Sequence, residues 1–375
     1  MTVNNLSQLV LLFERTHHEL QRRVARAADS ALVVRNWLFG YYLVEYEGAG
    51  AARADLYGKA LMERLAASLT ERGIRGMSAR SLYRFRALYE AYQDILPEEL
   101  AESPRALERS ADILPDGLAE SRVLPSDDAF GAMVRALGQR LSLGWTQYLA
   151  LLSVSDPDAR RFYEIETSAN GWSTKTLERQ IASALYERLA LSRDKDEIRK
   201  LTQEGQVVEQ TADLIKNPYV LEFLGLEEHS SYSEHELETA IIDKLEQFLL
   251  ELGKGFLFEA RQKRFSFDND HFYVDLVFYN RLLRCYVLID LKLDKLTHQD
   301  LGQMQMYVNY FDRYVKTPDE ARTIGMLLCR RKSDALVELT LPEGANIHAS
   351  EYQLYLPSKE ELRAKLMVWT KELDV

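Results

Sequence analysis

At 375 residues the chain has room for two or three domains. A hydrophobic share of 46% with 10% aromatics supports packed cores. No apolar run approaches the roughly 18 residues of a membrane span, so no membrane partner is expected. The net charge of −11 argues against a generic nucleic-acid binder, yet the charge is uneven. Residues 1–90 carry 13 Lys or Arg against 9 Asp or Glu, whereas residues 91–120 carry 2 against 8. The acidity is thus partly local. The first twenty residues lack the basic region and cleavage site of a signal peptide. Cys285 and Cys329 lie in apolar, strand-like sequence and read as core packing rather than a disulfide. A soluble cytoplasmic protein is expected.

In chain order, residues 1–90 show apolar residues at three and four spacing, with a Gly/Ala-rich break EGAGAARADLYG. Gly76 marks a turn and Ser78 is a good N-cap, so a helix should begin there. Its Arg80, Arg84 and Arg86 suit either phosphate contact in a helix-turn-helix or an ordinary basic solvent face. Residues 91–130 form an acidic insertion that Pro97, Pro104, Pro115 and Pro125 punctuate. Residues 131–192 read as helices again. Lys175 and Arg179 on the helix after Trp172 repeat the basic pattern in weaker form. Residues 193–225 read as a connecting segment that docks onto the C-terminal domain.

From residue 226 the pattern changes. SSYSEHELETAIIDKLEQFLLELG reads as one amphipathic helix, capped by Ser233 and stopped near Gly253. Strands are expected at GFLFEARQKRFSF, HFYVDLVFYN, LRCYVLIDLKLD, RTIGMLLCRR and ASEYQLYLP. Helices are expected at THQDLGQMQMYVNYFDRYV, SDALVELTL and SKEELRAKLMVWTKEL. The order describes a mixed sheet flanked by helices, preceded by a mainly helical domain.

Residues 272–292 are the most informative. Asp275 sits inside one apolar run, and Asp290 and Lys292 end the next. Two apart on a strand, Asp290 and Lys292 point the same way. Charges in buried strand sequence are costly unless they are paired or bind a metal. A structural ion-pair cluster is the plain alternative. Phosphodiester hydrolysis needs a divalent cation to hold the phosphate and acidify the attacking water, and an ammonium to orient the nucleophile or offset developing charge. Hard Mg²⁺ prefers carboxylate oxygens. Glu238 lies on the preceding helix, and Gln303 and Tyr307 share a face of the following one. His271 and His298 read as ordinary surface or core residues rather than ligands, and Asp294 and Lys295 as a solvated turn.

The series Glu238, Asp275, Asp290-Leu291-Lys292 and Gln303-x-x-x-Tyr307 resembles the PD-(D/E)XK nuclease superfamily. The chain as a whole resembles the YhcG-like family. That likeness rests on FYVDLVFYNRLLRCYVLIDLK, GQMQMYVNYFD and TIGMLLCRRK in the second half, and on GMSARSLYRFRALY, WTQYLALLSVSDPDARRFYE and WSTKTLERQIASALYERL in the first. The resemblance implies a restriction-endonuclease-like domain at 226–375 and a YhcG-like helical domain at 1–192 that binds DNA or drives assembly. It implies Mg²⁺ or Mn²⁺ as cofactor, with Asp275, Asp290 and Glu238 as ligands and the Leu291 carbonyl as a further candidate. Lys292, Gln303 and Tyr307 complete the implied site. DNA is the implied substrate, with RNA left open, in a mobile-element or defence setting. A homodimer is compatible with cutting two strands. Members usually carry Glu where this sequence has Asp290, which is one methylene shorter. A ligand oxygen displaced by roughly 1.5 Å can cost about 10²-fold in rate. A catalytically weak nuclease-fold protein acting as a DNA-binding or assembly module is therefore the alternative.

Overall fold

A computed structural model of the chain describes residues 29–44, 59–71, 73–74, 76–95, 127–191, 193, 195–226, 232–358, 361–362 and 364. The expectations for residues 1–28, the Gly/Ala-rich break, residues 96–126 of the acidic segment and most of the C-terminal helix lie outside these residues. Two compact units divide the chain: Met1–Arg160 with Glu166–Leu177, and Arg161–Ile165 with Glu178–Val375.

The first unit is helical. Residues 29–44 form α1, followed by α2 (Lys59–Glu71) and α3 (Ala79–Ala91). Gly76 takes the left-handed φ of 82° that a side chain would resist, and the extended Ser78 then accepts a hydrogen bond from the Ser81 amide. This is the helix start that the sequence predicts. Leu82 and Phe85 of α3 pack with Leu43, Met62 and Met77. Trp37 lies edge-on to Tyr89, with ring centroids 5.1 Å apart. Next come α4 (Asp127–Arg140), α5 (Trp145–Leu151), α6 (Pro157–Asn170) and α7 (Thr174–Ala182). The single helix expected over 173–191 is instead two. The break falls in the second unit, where Ala184 adopts a left-handed φ of 52° and α8 (Leu185–Ala190) starts afresh. The buried Arg188 holds the break by donating to the Ser183 carbonyl.

Further along the second unit, α9 (Lys195–Glu204) and a 3₁₀ turn (Thr211–Leu214) lead to β1 (Tyr219–Val220). The expected helix over 233–253 is also two helices, α10 (Glu234–Asp243) and α11 (Leu245–Leu252), with Lys244 at φ −118° between them. Ser233 forms the expected cap, with Glu236 reaching back to its amide. The chain continues through β2 (Phe256–Phe267), β3 (Asp270–Asn280), β4 (Cys285–Lys295), α12 (His298–Tyr314), β5 (Ile324–Arg331), α13 (Asp334–Thr340) and β6 (Ile347–Gln353). The sheet order is β1-β6-β5-β4-β3-β2. β2, β3 and β4 are antiparallel neighbours, while β4, β5, β6 and β1 run parallel.

One sheet face packs on α10 and α11 through Leu237, Ile241, Phe248, Leu276, Phe278, Ile289 and Leu291. The other packs on α12 through Val277, Leu288, Leu301, Met304, Tyr307 and Leu327. Gly325 lets α12 sit close to β5, because a Cβ there would lie 2.7 Å from Met304 Cγ. Within β3 the alternation breaks. Val274 joins the α12 side and Leu276 the opposite side. Asp275 sits at this change of phase. Gln262 falls opposite it, between the pairs Arg261–Leu276 and Lys263–Val274, and has a left-handed φ of 46°.

Candidate active site

The central strands place three of the singled-out side chains together. Asp275 Oδ2 accepts from the Leu291 amide at 2.9 Å, which ties β3 to the middle of the Asp290-Leu291-Lys292 run. Asp290 is 3% exposed. Its Oδ2 lies 2.8 Å from Lys292 Nζ, and Glu234 approaches the same ammonium at 3.9 Å.

Burial and the neighbouring Asp275 charge push the Asp290 carboxyl up to about 7, against the pull of Lys292. At Lys292 the balance goes the other way. Burial disfavours the ammonium, but the carboxylates of Asp290, Glu234 and Asp275 raise it above its ordinary value. The pair therefore keeps Lys292 charged, while Asp290 is an anion held in a site that resists anions.

Glu238 is 2% exposed and faces the same region without joining the pair. Its Oε1 accepts from Arg261 Nε at 2.5 Å and its Oε2 from Gln262 Nε2 at 2.7 Å. The same Gln262 amide donates to Asp275 Oδ1 at 3.0 Å. Glu238 is thus one amide group removed from Asp275. Tyr307 is buried, and Gln303 donates to its hydroxyl. Burial first, then the charge of Asp290, raises the Tyr307 hydroxyl above its ordinary value, so it stays protonated.

Among the described residues no three His, Cys, Asp or Glu side chains converge as a ready-made cation cage. The donor set still suits a hard divalent ion. Mg²⁺ keeps several waters and is commonly held by one or two carboxylates. Asp275 and the buried Asp290 are the carboxylates that would hold such an ion here.

Arg261 and Gln262 were not legible as site residues, because FEARQKRF reads as an ordinary strand. The left-handed φ that Gln262 itself adopts has no sequence signature. His271 is exposed and bonds Arg264 and Ser266, and Glu236 is spent on the Ser233 cap. In the first unit Arg80 is exposed, and Arg86 pairs with Glu90 at 2.7 Å. Lys175 is exposed. In the second unit Arg179 is turned onto Glu222 at 2.8 Å and Glu251 at 3.5 Å, and is only 19% exposed.

A family model described as the YhcG PDDEXK nuclease domain matches residues 212–367, the sheet and its site. A second, the DUF1016 N-terminal domain, matches residues 14–113 and 120–188. A relative from Escherichia coli (strain K12), named "Putative nuclease YhcG", is 37% identical over 355 residues, covering 91% of this chain and 88% of its own. The chain belongs to the YhcG family. Its C-terminal region has the restriction-endonuclease-like fold that the sequence predicts, a six-stranded mixed sheet with flanking helices, and its N-terminal region is helical.

Solved structures resemble this YhcG-family chain only slightly. A repair endonuclease from Pyrococcus abyssi gives a TM-score of 0.23 at 18% identity, covering 35% of this chain and 50% of its own. An EndoMS complex with double-stranded DNA gives 0.24 at 18%, covering 36% and 51%. This chain thus spans about half the length of each. Among the described residues no helix is long and apolar enough to cross a membrane.

Proposed function

We propose that this YhcG-family chain is a DNA nuclease dependent on Mg²⁺ or Mn²⁺, with Asp275 and Asp290 as the principal ligands and Glu238 assisting. The observation that carries the reading is the buried Asp290 beside Asp275, with the Lys292 ammonium 2.8 Å away. When bound, the cation supplies Lewis-acid chemistry: it holds the scissile phosphate and acidifies the attacking water. Lys292 remains an ammonium and offsets the charge that grows on the phosphate oxygens. The Leu291 amide fixes the rotation of Asp275. The Tyr307 hydroxyl, oriented by Gln303, supports the Lys292 side of the site. The N-terminal helical domain adds DNA affinity, assembly, or both, with Arg80 and Arg84 of α3 as the phosphate-contacting candidates.

One observation favours a second reading. Glu238 is already engaged by Arg261 and Gln262, which suits a nuclease fold that binds DNA without cutting it. A cleavage assay with Mg²⁺ or Mn²⁺ separates the two. Linear duplex, branched and single-stranded DNA, and RNA, are compared for the wild type and Lys292→Ala. The nuclease reading expects the wild type to cut a DNA substrate and the variant to bind but not cut. Equal cutting by both proteins removes the assignment, and no cutting by the wild type on any substrate supports the second reading.

A further inference from the structure

We propose that Gln262 is a positioning residue that sets the cation affinity of this site, an inference that rests on the metal-site reading above. Three observations converge on it. Gln262 lies in the middle of β2 with a left-handed φ of 46°, a conformation that glycine adopts freely and glutamine does not. It faces Asp275 across the strand pair at the point where the side-chain alternation of β3 changes phase. Its primary amide has two N–H groups, and both are used. Nε2 donates to Glu238 Oε2 at 2.7 Å and to Asp275 Oδ1 at 3.0 Å.

A neutral donor between two carboxylates holds them near each other without adding charge. Asp275 is then fixed at both oxygens, Oδ2 by the Leu291 amide and Oδ1 by Gln262. Each carboxylate oxygen has acceptor capacity beyond the one lone pair that these donors use. Backbone strain that persists beside such groups is a recognised mark of a functional constraint. Groups that orient metal ligands from behind typically govern 10–100-fold in metal affinity. Without Gln262 each carboxylate keeps one anchor, Glu238 the Arg261 guanidinium and Asp275 the Leu291 amide, and the two lose the amide that links them.

Gln262→Gly separates this role from a merely structural one. Glycine relieves the left-handed strain and removes the amide. Binding of Mn²⁺ to the full chain is measured by calorimetry alongside the melting temperature, with Asp275→Ala as the reference for loss of the site. The expected result is a melting temperature equal to or above that of the wild type, with Mn²⁺ affinity about 10–100-fold weaker. Affinity within about twofold of the wild type in Gln262→Gly overturns the inference while leaving the metal site standing. A wild type that binds no Mn²⁺, or binds it equally after Asp275→Ala, overturns the metal-site reading and this inference with it.

Discussion

Lys292 Nζ lies 2.8 Å from Asp290 Oδ2, two residues away on one face of β4, and both side chains are largely buried at 18% and 5% exposure. Removing one partner of such a pair leaves the other without compensation. Lys292→Ala should abolish cleavage and lower stability by about 1–3 kcal/mol, the smaller loss arising because Asp290 can take up a proton instead. DNA binding measured without divalent metal should stay within about threefold of the wild type, since one partly buried cation, only 18% exposed, contributes a small share of the electrostatic affinity. A variant that cuts normally removes Lys292 from the chemistry.

Asp290 gives a signed pH dependence. Its carboxyl is raised to about 7 by burial and by Asp275. It therefore holds its proton more tightly folded than unfolded. That contribution to stability is complete below about pH 4 and is lost as pH rises through about 7. A cation competes with the same proton, so Mn²⁺ affinity should climb between about pH 5.5 and 7.5 and level off above. Asp290→Asn should melt above the wild type at about pH 8 while losing Mn²⁺ binding. Calorimetry and thermal melts across pH check both, and a flat affinity profile refutes the role given to Asp290.

Arg80 is exposed on α3 and Arg84 is half-exposed one turn later on the same face. If they meet phosphates, charge reversal at both should weaken DNA binding and reduce the dependence of log affinity on log salt by about two. Titrations at several salt concentrations measure the slope, and an unchanged slope removes α3 from the interface.

Glu251 is fully buried and gathers Arg188 at 2.5 Å, Arg179 at 3.5 Å and, on its backbone carbonyl, Lys216. Burial alone would raise its carboxyl, but Arg188, Lys216 and Arg179 hold it below the ordinary range. It contributes stability above its unfolded value near pH 4, lost as pH falls through the lower folded value. Glu251→Ala should cost about 3–5 kcal/mol by stranding the cations. Arg179→Ala should lower the melting temperature and leave DNA affinity within about twofold. A selective loss of DNA affinity would restore Arg179 as a nucleic-acid contact.

Much of the fold was legible because its causes are local. Alternating apolar residues identify β2 to β4, and Ser78 and Ser233 stand where helices begin because their hydroxyls satisfy the first free amides. The spacing of Asp290 and Lys292 already implied one face of one strand. The two helix breaks were not legible. Ala184 and Lys244 are ordinary helix residues, and the 183–188 break is held by Arg188 reaching the Ser183 carbonyl and Glu251 in a different part of the chain. β1 is not legible either, because two residues carry no periodicity.

The sequence by itself determined which groups are available: carboxylates at 238, 275 and 290, an ammonium at 292, and the strands and helices that carry them. Tertiary structure alone decided how they face one another. It buried Asp290 so that its charge is resisted, turned Glu238 toward Arg261, and slipped the amide of Gln262 between Glu238 and Asp275. The reason is physical. Strand alternation is a property of consecutive residues, whereas burial, charge proximity and a left-handed φ at Gln262 arise only when β2, β3, β4 and α10 are packed together.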